Sequence, residues 1–216
     1  MHKIIDGKIG IEAAQKCGSR TLIGYVMLLQ NPNAANEMPV EFSQRGDYTN
    51  NVDFERKIEM NRNHARRDKY PVIGCIVRSP LERFLSAYGD KMKKYYGKDK
   101  TSVQEFMDMY EDIPSGEPHH STLNYENKFD VYFDIKFHIA PLVKRYGENS
   151  SFYNHIFNLS EMNKVRNLIE EYSGKKLPDL SLNETYKAEK PILTKSQQAW
   201  IYDTFREDIE VYGKWM

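Results

Sequence analysis

Two short segments hold most of the residues that could do chemistry. The first is QKCGSRTL, Gln15 to Leu22, where Lys16, Gly18, Ser19 and Thr21 precede apolar residues at helical spacing. A helix N-terminus offers backbone N–H groups and a partial positive charge, so a lysine and hydroxyls beside it make an anion site. The order differs from the nucleotide loop G-x-x-x-x-G-K-[ST], whose lysine follows its second glycine. Here Lys16 comes first and Gly18 follows. The second segment is VRSPLERFLSAY, Val77 to Tyr88. Ser79 suits an N-cap, Pro80 the first helical position and Glu82 the closing half of a capping box. Arg78 and the Ser86 hydroxyl complete a second group suited to an anion. A ligand with phosphate-like groups at two separated positions fits the pair.

The elements around these segments must place them at strand ends. KIGIEAA reads as a short buried strand leading into the first loop, and Leu22, Val26 and Leu29 keep the spacing of a helix that follows it. YPVIGCIV, Tyr70 to Val77, is a continuous apolar run rich in β-branched residues, the pattern of a central parallel strand covered on both faces. The helix after it carries one stripe, Leu81, Phe84, Leu85, Tyr88 and Met92. Arg83 and Ser86 fall roughly 200° and 140° from Leu81, off that stripe, which predicts a use for them outside the core. In an open parallel sheet the loops at the carboxyl ends of strands are where ligands bind.

Elsewhere the spacing predicts a helix over Val52 to Arg67, a strand at FDVYFDI and another in SFYNHIFNL. A helix capped by Ser160 buries Val165, Leu168, Ile169 and Tyr172 and stops at Gly174. Thr194 and Gln197 form a capping box for a last helix running to about Tyr212. The basic stretch KMKKYYGKDK reads as a solvated helix end, with lysines favourable at the C-terminal dipole. Strands alternating with helices give an α/β fold: a P-loop-like, three-layer arrangement with a central, mainly parallel sheet flanked by helices, in a single domain over 1–216.

The bulk numbers narrow the function. Lysine plus arginine and aspartate plus glutamate are both 31, so the net charge is zero with neutral histidines. That argues against a general nucleic-acid or membrane-surface binder while leaving room for a local basic site. The two cysteines, Cys17 and Cys75, are too few for a disulfide framework and read as free thiols in a reducing compartment. The N-terminal MHKIIDGKIGIEAAQ is too polar for a signal peptide, and nowhere do 18 apolar residues run together. The expectation is a cytoplasmic protein, with the sequons at Asn149, Asn158 and Asn183 coincidental. No histidine, cysteine and carboxylate cluster has metal-ligand spacing.

The two segments resemble those of sulfotransferases that use 3′-phosphoadenosine 5′-phosphosulfate (PAPS), with the strongest likeness to the Golgi-type carbohydrate sulfotransferases, sulfotransferase family 2. QKCGSRTL is similar to the 5′-phosphosulfate loop and VRSPLERFLSAY to the 3′-phosphate segment. PHHSTLN, GKKLPDLSLNETYK and IYDTFREDIEVYG resemble later parts of that family more loosely. The resemblance implies that Lys16, Cys17, Gly18, Ser19, Arg20 and Thr21 hold the phosphosulfate, that Arg78 and Ser86 hold the 3′-phosphate, and that Lys187 closes over the donor. Arg20 departs from the family pattern, in which Thr or Ser is common. The implied reaction is in-line attack of an acceptor hydroxyl on sulfur, with Lys16 catalytic through charge stabilisation. A general base must take the hydroxyl proton. His64 in NRNHARRDKYP is the first choice and Glu37 in ANEMPVEF the second, while His119 and His120 are assigned to the base or to the acceptor. The implied partner is a carbohydrate or other hydroxyl-bearing acceptor, with no metal, nucleic acid or membrane. Two rivals stand beside this reading: an ATP-using kinase on a P-loop-like fold, and a nucleotide- or glycan-binding module that lost the base.

Overall fold

The computed structural model describes residues 2–5, 8–30, 70–92, 102–115, 123–124, 126–180 and 190–216. The expected helix over Val52 to Arg67 lies outside them. The fold is α/β, with three parallel strands, one antiparallel strand and flanking helices. The chain divides into two compact units. One comprises Met1–Val77, Tyr146–Glu184 and Trp215; the other comprises Arg78–Arg145, Thr185–Lys214 and Met216.

The first unit holds the sheet, in the order β1 (His2–Ile5), β2 (Ile9–Ala13), β3 (Val72–Val77) and β4 (His155–Asn158). β1 is antiparallel to β2, whereas β2, β3 and β4 run parallel. Ile9 to Ala13 pair with Val72 to Ile76, and Gly74 to Val77 pair with His155 to Asn158. β3 therefore lies between two strands, and Ile73 to Val77 are buried, as the unbroken apolar run requires. Helix α1 (Ser19–Gln30) follows β2 and buries Leu22, Tyr25 and Val26. Helix α6 (Met162–Ser173) follows β4, buries Val165 and Ile169, and ends at Gly174 in the left-handed conformation (φ 67°). Its entry differs from expectation. Asn158 is the cap, accepting from Ser160 N–H in a capping box with Glu161, and Ser160 lies inside a 3-10 turn over Leu159–Glu161.

The second unit is helical: α2 (Pro80–Lys91), α3 (Val103–Asp108), α4 (Lys128–His138), α7 (Lys195–Thr204) and α8 (Arg206–Tyr212). Between α4 and α7 comes α5 (Leu142–Tyr146), whose last residue belongs to the first unit. Phe106 sits at the middle of the second unit's core, with ring centroids 5.8 Å from Phe84 and 5.3 Å from Tyr132. FDVYFDI is helix, in α4, not strand. Its apparent alternation concealed Val131, Ile135 and Ile139, an i, i+4, i+8 series that is fully covered. Asn127 caps this helix by accepting from Phe129 N–H, and Lys136 and His138 occupy its last turn, where cations are favoured. The capping box of Thr194 and Gln197 is present, but the final helix breaks at Phe205 (φ −111°, ψ 29°) into α7 and α8.

Candidate active site

The first-unit segment emerges from the carboxyl end of β2. Cys17 N–H donates to the Ala14 carbonyl at 3.0 Å, closing a tight turn over 14–17. Within that turn Lys16 has φ 62°, the one left-handed non-glycine among the described residues. A lysine there gives up the steric ease that glycine would have, so the surrounding structure must hold it. Gly18 follows at φ 80°. A Cβ at Gly18 would lie 2.8 Å from Leu159 Cδ1 and 3.3 Å from Met162 Sδ, so the loop is pressed onto the start of the segment after β4. Only glycine satisfies both the torsion and the space.

From Gly18 the backbone turns into α1, whose first closing hydrogen bond runs from Leu22 N–H to the Gly18 carbonyl. The N–H groups of Ser19, Arg20 and Thr21 thus have no carbonyl within the helix to receive them. Cys17 and Thr21 are buried, Lys16 and Ser19 half-buried, and Arg20 exposed. The loop therefore combines an ammonium, two hydroxyls and a helix N-terminus, a donor set suited to a phosphate-like anion. The Arg20 side chain projects to solvent at this end.

Beneath the loop lies a group of residues that carried no motif. The Tyr146 hydroxyl accepts from Ala14 N–H at 2.6 Å and donates to the Ile76 carbonyl at 2.8 Å. The Tyr153 hydroxyl donates to Glu12 Oε2 at 2.7 Å and lies 3.0 Å from the Tyr146 carbonyl oxygen. Burial pushes the Tyr146 phenol well above its ordinary value, with further contributions from Cys17 and Cys75, so it stays protonated. Burial likewise pushes the Cys75 thiol up, and neither cysteine is in a disulfide, both being covered. These are unreactive structural thiols, not nucleophiles.

In the second unit Arg78 precedes α2 and Ser86 lies, half-buried, in its second turn. Ser79 caps α2 by accepting from Glu82 N–H at 3.3 Å, with Pro80 at the first position. The Glu82 carboxylate turns to Arg78 instead, with Nε to Oε2 at 3.3 Å, so the expected box is made on one side only. That pairing orients the guanidinium over the first turn of α2.

Arg83 corrects the expectation drawn from its place off the apolar stripe. It is 2% exposed, donating from Nη1 to Asp208 Oδ2 at 3.2 Å and from Nη2 to the Ala140 carbonyl at 2.6 Å. Asp208 is fully buried and also accepts from Val143 N–H at 2.9 Å. Burial raises the Asp208 carboxyl, and the Arg83 charge opposes that rise. Arg83 is thus a core residue of the second unit. The stripe rule failed because α8 brings a carboxylate to the other side of α2.

Glu37, His64, His119, His120 and Lys187 lie outside the described residues. No group of histidines, cysteines and carboxylates that could hold a metal occurs among the described residues, and no described helix is long and apolar enough to cross a membrane.

Residues 7–214 match the profile of the sulfotransferase family, nearly the whole chain. The chain belongs to the sulfotransferase family. Neither the curated proteins nor the solved structures contain a match to it. The match spans both segments, so Lys16 to Thr21 and Arg78 to Ser86 are parts of one sulfotransferase chain. Tyr146, Tyr153 and Asp208 are the residues of this sulfotransferase that motif reading missed. The one signal for them was the chance that a buried tyrosine or aspartate needs a partner.

Proposed function

We propose that the chain transfers the sulfuryl group of PAPS to a hydroxyl of a carbohydrate acceptor. Family membership supports sulfuryl transfer in general. The observation that carries the choice of donor is the loop at the end of β2, where Lys16 is held at φ 62° ahead of the open N–H groups of α1. In this reading Lys16 and Cys17 to Thr21 hold the 5′-phosphosulfate, Arg78 and Ser86 hold the 3′-phosphate, and Lys187 closes over the donor.

The acceptor oxygen forms a bond to sulfur while the bond from sulfur to the donor's bridging oxygen breaks. The electron pair leaves with adenosine 3′,5′-bisphosphate. Negative charge grows on that bridging oxygen, and the Lys16 ammonium and the helix N–H groups stabilise it without reorganising. The proton of the acceptor hydroxyl passes to a general base, assigned to His64 with Glu37 as the alternative. His119 and His120 are assigned to the acceptor. Lys16 supplies positive charge where a magnesium ion would act in a kinase.

The test is calorimetric titration with adenosine 3′,5′-bisphosphate in EDTA, beside Mg-ATP in magnesium buffer. Binding of the bisphosphate without metal, weakened about tenfold or more by Lys16→Ala, is expected from loss of a charge-assisted contact. Preference for Mg-ATP would overturn the assignment in favour of a kinase.

A further inference from the structure

Ala14 is the first residue past the ladder of β2 and β3, whose last pair is Ala13 and Ile76. It is fully buried, and its N–H therefore needs an acceptor that no strand supplies. Tyr146 supplies one. Its hydroxyl sits between Ala14 N and Ile76 O, at 2.6 and 2.8 Å, and adds one side-chain rung to the ladder at the point where β2 becomes the loop. The same Ala14 gives its carbonyl to Cys17 N–H, closing the turn that contains Lys16 in the left-handed conformation. The ring itself is anchored by an edge contact with Tyr153, centroids 6.0 Å apart, and Tyr153 is tied to Glu12 of β2.

We propose that Tyr146 is a positioning residue for the sulfuryl end of the donor: its hydroxyl fixes the Ala14–Cys17 turn and so holds Lys16 in an orientation that lysine does not favour by itself. This rests on the reading of Lys16 to Thr21 as the 5′-phosphosulfate loop. In this reading the Tyr146 hydroxyl serves Ala14 and Ile76 and touches neither donor nor acceptor. The residue acts through the backbone of the turn, and its phenylalanine counterpart keeps the ring while removing the rung.

Two measurements test it, the first independent of any ligand. In Tyr146→Phe, hydrogen exchange at the amides of residues 14–18 is expected to quicken about tenfold or more, while Ile73 to Val77 keep their protection. Unchanged loop exchange, or equal loss across β3, overturns the proposal. In a Lys16→Gly background, where the left-handed torsion costs little, the same substitution is expected to change exchange at residues 16–18 by at most about threefold, while Ala14, which loses its acceptor in either background, still quickens. That background also covers a Tyr146→Phe protein that fails to fold alone. A folded double variant then supports the proposal, and an unfolded one overturns it.

The second measurement is binding. Tyr146→Phe is expected to weaken adenosine 3′,5′-bisphosphate about tenfold and leave adenosine 3′-monophosphate, which lacks the 5′ group, within about twofold. Equal weakening of both ligands overturns the positioning role. Failure of the wild-type protein to bind the bisphosphate counts against the donor assignment, and loop exchange still decides the role of Tyr146.

Discussion

Gly18→Ala tests the geometry of the loop at its tightest point. Gly18 sits at φ 80°, and an added Cβ would lie 2.8 Å from Leu159 Cδ1 and 3.3 Å from Met162 Sδ. The left-handed torsion costs an alanine about 1–2 kcal/mol. Carbon atoms pack best at about 3.5–4.0 Å, so Leu159 must retreat by most of an ångström. Overpacking of this kind adds about 1–3 kcal/mol. Together these give a loss of about 2–5 kcal/mol, read by urea denaturation followed with circular dichroism. The two parts separate in a Leu159→Ala/Met162→Ala background, where both contacts are gone and Gly18→Ala should cost only the torsional share, about 1–2 kcal/mol. A loss below about 0.5 kcal/mol in the wild-type background is incompatible with this loop geometry, as is the same loss in both backgrounds.

Two further substitutions probe the second unit. Arg83→Met removes the partner of a fully buried Asp208 and is expected to cost about 3–5 kcal/mol at neutral pH, with Arg83→Met/Asp208→Asn recovering part of it; denaturant melts of the three proteins check this. Asp134 is buried between Lys91, with Nζ to Oδ2 at 2.8 Å, and His138. Burial pushes the Asp134 carboxyl up, but the His138 hydrogen bond and charge, with Lys91, outweigh it and hold the group well below the usual carboxylate range. The unfolded chain then binds more protons than the folded one as pH falls through the ordinary value of 3.8, so stability present above that value is lost below it. Melting temperatures between pH 6 and pH 3 should fall more steeply for the wild-type protein than for Asp134→Asn, and parallel curves would contradict the assignment.

Local signals in the sequence were legible where the physics is local. The β3 run is buried on both faces, so its composition alone places it between neighbours. Thr194 and Gln197 satisfy each other within one turn, and Gly174 stops α6 through its own torsion. What escaped depended on distant chain. Arg83 is drawn into the core by Asp208, 125 residues away, and no helical wheel of α2 contains that partner. FDVYFDI alternates well enough to imitate a strand, and only Ile139 beyond its end completes the helical series. In the loop, the lysine before the glycine was the ground for expecting an anion site, but its left-handed torsion was not readable, because the group that secures the turn is the Tyr146 hydroxyl from far along the chain.

In the proposed reaction this sulfotransferase-family chain takes its sulfuryl group from PAPS and places it on a carbohydrate hydroxyl. The most direct measurement is transfer of radiolabelled sulfate from PAPS to a panel of glycans, in EDTA, by the wild-type protein and by Lys16→Ala. Labelled glycan from the wild type, reduced about a hundredfold or more in Lys16→Ala as loss of a transition-state charge contact requires, is the result expected. Absence of labelled glycan from the wild type across the panel, or equal transfer by Lys16→Ala, would contradict it.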